Sequence, residues 1–183
     1  KHVGRTGRLT APGRFSGRHI LVPDDWEHSS YSTHWHLVLT VMLRFKPRTI
    51  LETGSGKYST NLFRAFDIDR LVSLENNRQW FRNTDDPRHE PVAVKGCIVD
   101  NLPDLKDFDL VFVDDDPVEE RLLTIEKVLK EATGLVVIHD TNHPPIHTLI
   151  ANRPNHTDTS RGPTTTVLHP AKSKEFTSWL NTR

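Results

Sequence analysis

Residues 50–60, ILETGSGKYST, run from an apolar stretch through an acid into two glycines, a lysine and several hydroxyls. A glycine turn after a short strand often marks a phosphate site, so its spacing has to be tested against the two common kinds. The P-loop places a glycine five positions before the second one and a serine or threonine directly after the lysine. Those positions hold Leu51 and Tyr58. The dinucleotide turn needs a third glycine where the new helix packs on its strand, and Ser59 stands there. Neither pattern is met. What is left is Glu52 ahead of a turn made of Thr53, Gly54, Ser55 and Gly56, set between a strand and a helix.

Working outward, SYSTHWHLVLTVMLRF places Tyr31, Trp35, Val38, Met42 and Phe45 at helical spacing, and the following Lys-Pro stops that helix before the strand RTILET. YSTNLFRAF reads as the next helix, RLVSLE as a second strand and PVAVKG as a third. FDLVFVDD is a fourth, apolar on both faces as a central parallel strand should be. Val118, Leu122, Ile125, Leu129 and Ala132 make one stripe of a covering helix, and Asp116 before Pro117 has the form of its N-cap. GLVVIHD is a fifth strand and PPIHTLIAN a short helix. HTDTSRGPTTTVLHP reads as two strands joined around Arg161, Gly162 and Pro163, and Phe176, Trp179 and Leu180 mark a closing helix. This alternation predicts a doubly wound α/β fold. Its sheet is mostly parallel, with helices on both faces and a C-terminal antiparallel hairpin.

With 183 residues and 21.0 kDa, one domain is expected. Lys+Arg and Asp+Glu are equal at 24 each, so net charge advertises neither nucleic acid nor an acidic partner. From Lys1 to Pro23 there are basic residues and no acid. Residues 1–25 are therefore expected as a loosely ordered basic arm before a single domain over 26–183. Cys97 is the single cysteine, which excludes an internal disulfide. No apolar run approaches the ~18 residues of a membrane span and no signal peptide is visible, so a soluble cytoplasmic protein without a membrane partner is the expectation. No aromatic-rich basic strip suggests single-stranded nucleic acid.

In a doubly wound fold the ligand lies beyond the carboxyl ends of the strands. Those ends are polar here: Glu52 to Gly56 after the first strand, Glu75 and Asn76 after the second, Asp114 to Asp116 after the fourth, and His139 to Asn142 after the fifth. Glu75 follows the glycine turn by about twenty residues, where such folds place a carboxylate for ribose hydroxyls.

On these motifs the chain resembles the class I S-adenosylmethionine-dependent methyltransferases, which are Rossmann-like. LETGSGKYST looks like their acid-plus-GxG motif, LVSLENNRQWF like their ribose-binding strand end, FDLVFVDD like their fourth strand, and VVIHDTNH like the fifth strand of the small O-methyltransferases. The likeness covers about Phe45 to His143. It implies S-adenosylmethionine as cofactor, with Glu52, Thr53, Gly54, Ser55, Gly56 and Ser59 forming the turn beside its methionine part. Glu75 and Asn76 would stand at the ribose. Cys97 and Ile98 would border the adenine, where the related pattern has Gly-Asp, so Asp100 is an alternative. The resemblance further implies an oxygen of a small molecule as acceptor. It suggests Mg2+ held by Asp114 and Asp140, although Thr141 follows where related enzymes carry a second Asp or an Asn.

Methyl transfer to a hydroxyl needs in-line approach and a base or cation that favours the oxyanion. Asp114, Asp140 and His143 are the candidate catalytic residues, with His139 beside them. His28, His34 and His36 read as surface or packing positions. With no inserted lid, the pocket is expected to be open, to take a large acceptor, or to be closed by a second subunit. Two rival readings stay open: a polyamine-type aminopropyltransferase, suggested by VDDDP, and a non-catalytic nucleotide-binding protein with this fold.

Overall fold

The computed structural model describes residues 32–81, 83–160, 162–171 and 173–182. The expected N-terminal arm, with His28, Tyr31 and Arg161, lies outside the described residues. Helix α1 (Trp35–Phe45) leads into β1 (Thr49–Thr53), α2 (Ser59–Arg64), β2 (Arg70–Glu75) and β3 (His89–Ala93). Two 3-10 turns, Ile98–Asn101 and Leu105–Asp107, then precede β4 (Leu110–Val113). Helix α3 (Val118–Glu131), β5 (Leu135–Ile138), α4 (Pro144–Ile150), β6 (Asn155–Asp158), β7 (Thr165–Leu168) and α5 (Lys174–Leu180) complete the chain.

The strands form one sheet in the order β3-β2-β1-β4-β5-β7-β6. The first five are parallel, and β7 runs antiparallel to both β5 and β6. Order reverses between β1 and β4, and the crevice of such a sheet opens at that switch point. The doubly wound fold with its antiparallel C-terminal pair is as expected. The antiparallel strand is inserted between β5 and the edge strand, which the pattern alone did not specify.

Alternation along each strand divides the core in two. Ile50, Leu71, Leu110, Phe112, Val137 and Val167 face one layer of helices, packing on Trp35, Val38, Val41 and Met42 of α1, Phe63 of α2 and Phe176 and Trp179 of α5. Leu51, Val72, Val111, Val113, Val136 and Ile138 face the other, against Ile125, Val128 and Leu129 of α3 and Ile146 and Ile150 of α4. Both sides of β4 and β5 are thus sealed, and their polar residues are confined to the strand ends. The start of α3 departs from expectation. Its N-cap position is Pro117, in extended conformation and with no side-chain cap bond, while Asp116 is exposed.

Candidate functional site at the carboxyl ends of the strands

The glycine turn follows β1 directly. Gly54 has φ of +78°, and a Cβ there would meet the Asp114 carbonyl, whose carbon would stand 2.6 Å away. Only glycine meets both conditions without strain. The turn is therefore pressed against the end of β4.

Glu75, at the end of β2, reaches back to this turn. One carboxylate oxygen accepts from the Ser55 amide at 2.8 Å and the other from the Asn77 amide at 2.7 Å. Burial raises its pKa above the ordinary range, against the pull of those amides. Ser55 Oγ donates to the carbonyl of Trp80, whose ring is exposed beside the turn. The Asn76 amide donates to the carbonyl of Asp116 at 3.2 Å and ties the ends of β2 and β4 together. Gly54, Ser55, Gly56, Glu75 and Asn76 are thus brought to one place.

Glu52 is not in the cleft. In a strand residues two apart share a face, so Glu52 turns with Ile50 into the helix layer and is fully buried. Thr60 Oγ1 at 2.7 Å and Ser73 Oγ at 2.6 Å both donate to its Oε2, and Ser59, itself buried, also bonds to this carboxylate. Burial pushes its pKa up to about 7. Glu52 and Ser59 brace the turn from beneath instead of lining a ligand. Thr53 is likewise buried on the opposite face, donating to Asp115 at 2.7 Å. Asp115 takes a second hydroxyl, from Thr124 of α3, at 2.9 Å.

Ile98 is buried at the start of its 3-10 turn, Cys97 is partly exposed, and Asp100 is exposed. A hydrogen bond to Glu120 raises the Cys97 pKa. These residues stand beyond β3, on the flank of the crevice.

The ends of β4 and β5 carry a tighter constellation. His139 Nδ1 lies 3.0 Å from Asp114 Oδ1, and His139 Nε2 lies 2.8 Å from Thr33 Oγ1. Burial alone would lower the imidazole pKa, but the Asp114 carboxylate outweighs it and holds the pKa raised. Asp114 shows the converse: burial opposes its charge, yet His139 and Arg121 keep its pKa below the usual carboxylate range. Arg121 is buried in α3 and makes an ion pair with Asp140 Oδ2 at 2.7 Å. It also stands 3.4 Å from Asp114 Oδ1 and donates through Nε to the Asp115 carbonyl. Asp140 has φ of +59°, an uncommon conformation outside glycine that tends to mark functional positions.

This arrangement corrects the expected Mg2+ site. A guanidinium already bridges Asp114 and Asp140 and fills the place between the two carboxylates that a shared Mg2+ would need. The two aspartates do not fit Mg2+. His143 is exposed at the N-cap of α4 and is not gathered with the others. Sequence reasoning missed Arg121 and the involvement of Thr33 and His34. Arg121 did leave a signal: it stands three residues after Val118 and four before Ile125, inside the apolar stripe.

The site is placed by this convergence of polar groups, not by cavity size. Two open cavities, of about 390 and 310 Å³, lie at the other end of the sheet, beside Arg153 and His169 and beside Lys106 and Gly134.

No known family profile and no curated protein sequence matches the chain. Solved structures do. The chain is similar to the N-methyltransferase NodS from Bradyrhizobium japonicum WM9, at TM-score 0.57 and 12% identity over 80% of this chain and 97% of that one. It is similar to the methyltransferase domain of bacterial CtHen1, at TM-score 0.55 and 8% identity over 77% and 100%. A third is a protein from Staphylococcus aureus assigned as a caffeoyl-CoA O-methyltransferase, at TM-score 0.54 and 12% identity over 73% and 81%. The fold is that of the class I methyltransferases. No helix among the described residues is long and apolar enough to cross a membrane.

Proposed function

We propose that this chain is an S-adenosylmethionine-dependent methyltransferase that transfers the methyl group to an oxygen of a small-molecule acceptor. The observation that carries the reading is the chain of contacts Thr33–His139–Asp114, in which a buried imidazole is held by a carboxylate on one nitrogen and meets a hydroxyl on the other. A hydroxyl acceptor in place of Thr33 would find a base at hydrogen-bond distance, oriented by Asp114. The sulfonium needs no activation. The protein's tasks are to align the acceptor with the methyl group and to take its proton.

The cofactor's place is supported by the glycine turn at the β1/β4 switch point and by Glu75, whose carboxylate stands against that turn. Of the similar structures, NodS has been solved with S-adenosyl-L-homocysteine. Transfer to oxygen, with the likeness to the S. aureus protein as further support, follows from the base. A nitrogen acceptor that arrives neutral needs none so well oriented. Because its pKa is raised, His139 is free to act as a base only toward the alkaline side of the ordinary imidazole range, so the transfer rate should climb with pH there.

Calorimetric titration with S-adenosylmethionine and S-adenosylhomocysteine tests the reading. Saturable one-to-one binding is expected, weakened about tenfold or more in Glu75→Gln, the worth of hydrogen bonds to a charged acceptor. No binding to wild-type protein would sink the proposal.

A further inference from the structure

His34 directly precedes α1 and is 2% exposed. Its ring stands edge-on to His139, with centroids 5.1 Å apart, and packs on Phe112 at 5.2 Å. Among the described residues, neither ring nitrogen has a hydrogen-bond partner. Leaving a buried polar atom unpaired costs about 1–3 kcal/mol, and unpaired buried atoms in a native fold call for an occupant. Burial, with His139 as a neighbour, holds the His34 pKa down to about 3. The ring is therefore neutral, with a lone pair to offer.

The neighbours of His34 supply the remaining donors. His34, Asp114 and His139 each place one ligand atom within 4.8 Å of the others. When His139 carries its proton on Nε2 and donates it to Thr33 Oγ1, its Nδ1 lone pair faces Asp114 Oδ1 at 3.0 Å. Two acceptors so close must have a positive charge between them. A proton does this in one tautomer, and an ion does it in the other. The Thr33 hydroxyl then acts as the outer partner that metal-bound histidines customarily have on their second nitrogen.

We propose that His34, Asp114 and His139 bind a borderline divalent transition-metal ion of the zinc or cobalt kind. Two imidazoles and one carboxylate suit such ions, whereas carboxylate and carbonyl oxygens suit magnesium. Ligands at the usual zinc distances of about 2.1 Å stand roughly 3.4 Å apart around a tetrahedral ion, so atoms already within 4.8 Å of one another reach it by side-chain adjustment. The ion displaces the proton between His139 and Asp114, which leaves to solvent. Arg121 and Thr33 remain as outer partners, and with three protein ligands the ion keeps a position open for an oxygen. The site stands on these contacts alone, whether or not the chain transfers methyl groups.

The test uses chelator-treated protein without S-adenosylmethionine, titrated calorimetrically with Zn2+ and, in parallel, with Co2+ followed by its visible absorption. One ion per chain is expected in wild-type protein and in His36→Ala, which removes an exposed histidine. His34→Phe, which keeps the ring packing, and Asp114→Asn are each expected to weaken Zn2+ by at least about tenfold and to lose the Co2+ band. Far-UV circular dichroism checks that they fold, and His34→Gln replaces any variant that does not. Absence of saturable binding by the wild type, or wild-type affinity in a folded His34 variant, overturns the site.

Discussion

Gly54 shows what one residue contributes to the cleft. Its positive φ and the Asp114 carbonyl behind it both exclude a side chain. Gly54→Ala should therefore lose about 2–4 kcal/mol in urea unfolding, from the left-handed backbone and the overpacking together. It should also weaken S-adenosylmethionine, because the turn can relieve the clash only by moving. The glycine was legible in the sequence, since a GxG turn after an apolar strand has few other uses. Glu52 was legible as a motif residue but not in its role. Its direction follows from sharing a face with Ile50, and that arithmetic of two outranks the resemblance that put it beside the ligand.

Among the elements, α3 carries the argument. Its apolar stripe was plain, and the helix covers β4 and β5 as that stripe requires. Arg121 in the stripe was not read, because its partners lie elsewhere in the chain: Asp140 is reached only through the fold, and Asp114 by way of the β4–α3 loop. Its pKa is raised, since the aspartates more than offset the effect of burial. Arg121→Met should leave the two carboxylates with only the His139 imidazole, 3.0 Å from Asp114 and 3.5 Å from Asp140, as counter-charge. The side chains of Asp114 and Asp140 are 25% and 29% exposed, so water offsets part of the usual cost of breaking a buried pair. A loss of about 3 kcal/mol by chemical denaturation near neutral pH is expected, shrinking once the carboxylates are protonated. A variant as stable as wild type would show that α3 does not depend on this clasp. His34 was read as a surface or packing position, and it is packed, against Phe112. Its place in the proposed metal site was not legible, because neighbours such as His139 lie far along the chain and no spacing around α1 could have shown them.

At the scale of the molecule, a sheet sealed on both faces has to bury whatever its strands carry. Glu52 is the clearest instance, with a folded pKa of about 7 against an ordinary 4.5. The sign follows from the direction. A raised carboxylate favours the fold while it is protonated, so this contribution is complete below about 4.5 and lost as pH rises through about 7. Asp86 acts in the opposite sense: Arg88 holds its pKa well below the usual range, and its contribution is lost only as pH falls below the ordinary carboxylate value. The windows do not overlap. Buried His34, its pKa lowered to about 3, and His89, lowered to about 4, oppose Glu52 across much of the same interval. Stability from urea unfolding should therefore fall between pH 4.5 and 7 in wild type relative to Glu52→Gln, by something on the order of 3 kcal/mol, and the two proteins should share the acid limb below it. The doubly wound architecture itself was legible because strand and helix periods alternate so regularly. The place of β7 between β5 and β6 was not, because pairing order depends on contacts that no local period records.

The contact between Gly54 and the backbone of Asp114 joins two tasks that the strand ends otherwise keep apart. The turn belongs to the proposed methyl donor and Asp114 to the group proposed to receive the acceptor's proton, yet neither can shift without displacing the other. Occupancy of the first half therefore sets the geometry of the second before an acceptor arrives. The contact predicts that acceptor affinity will differ between the free and the donor-bound protein.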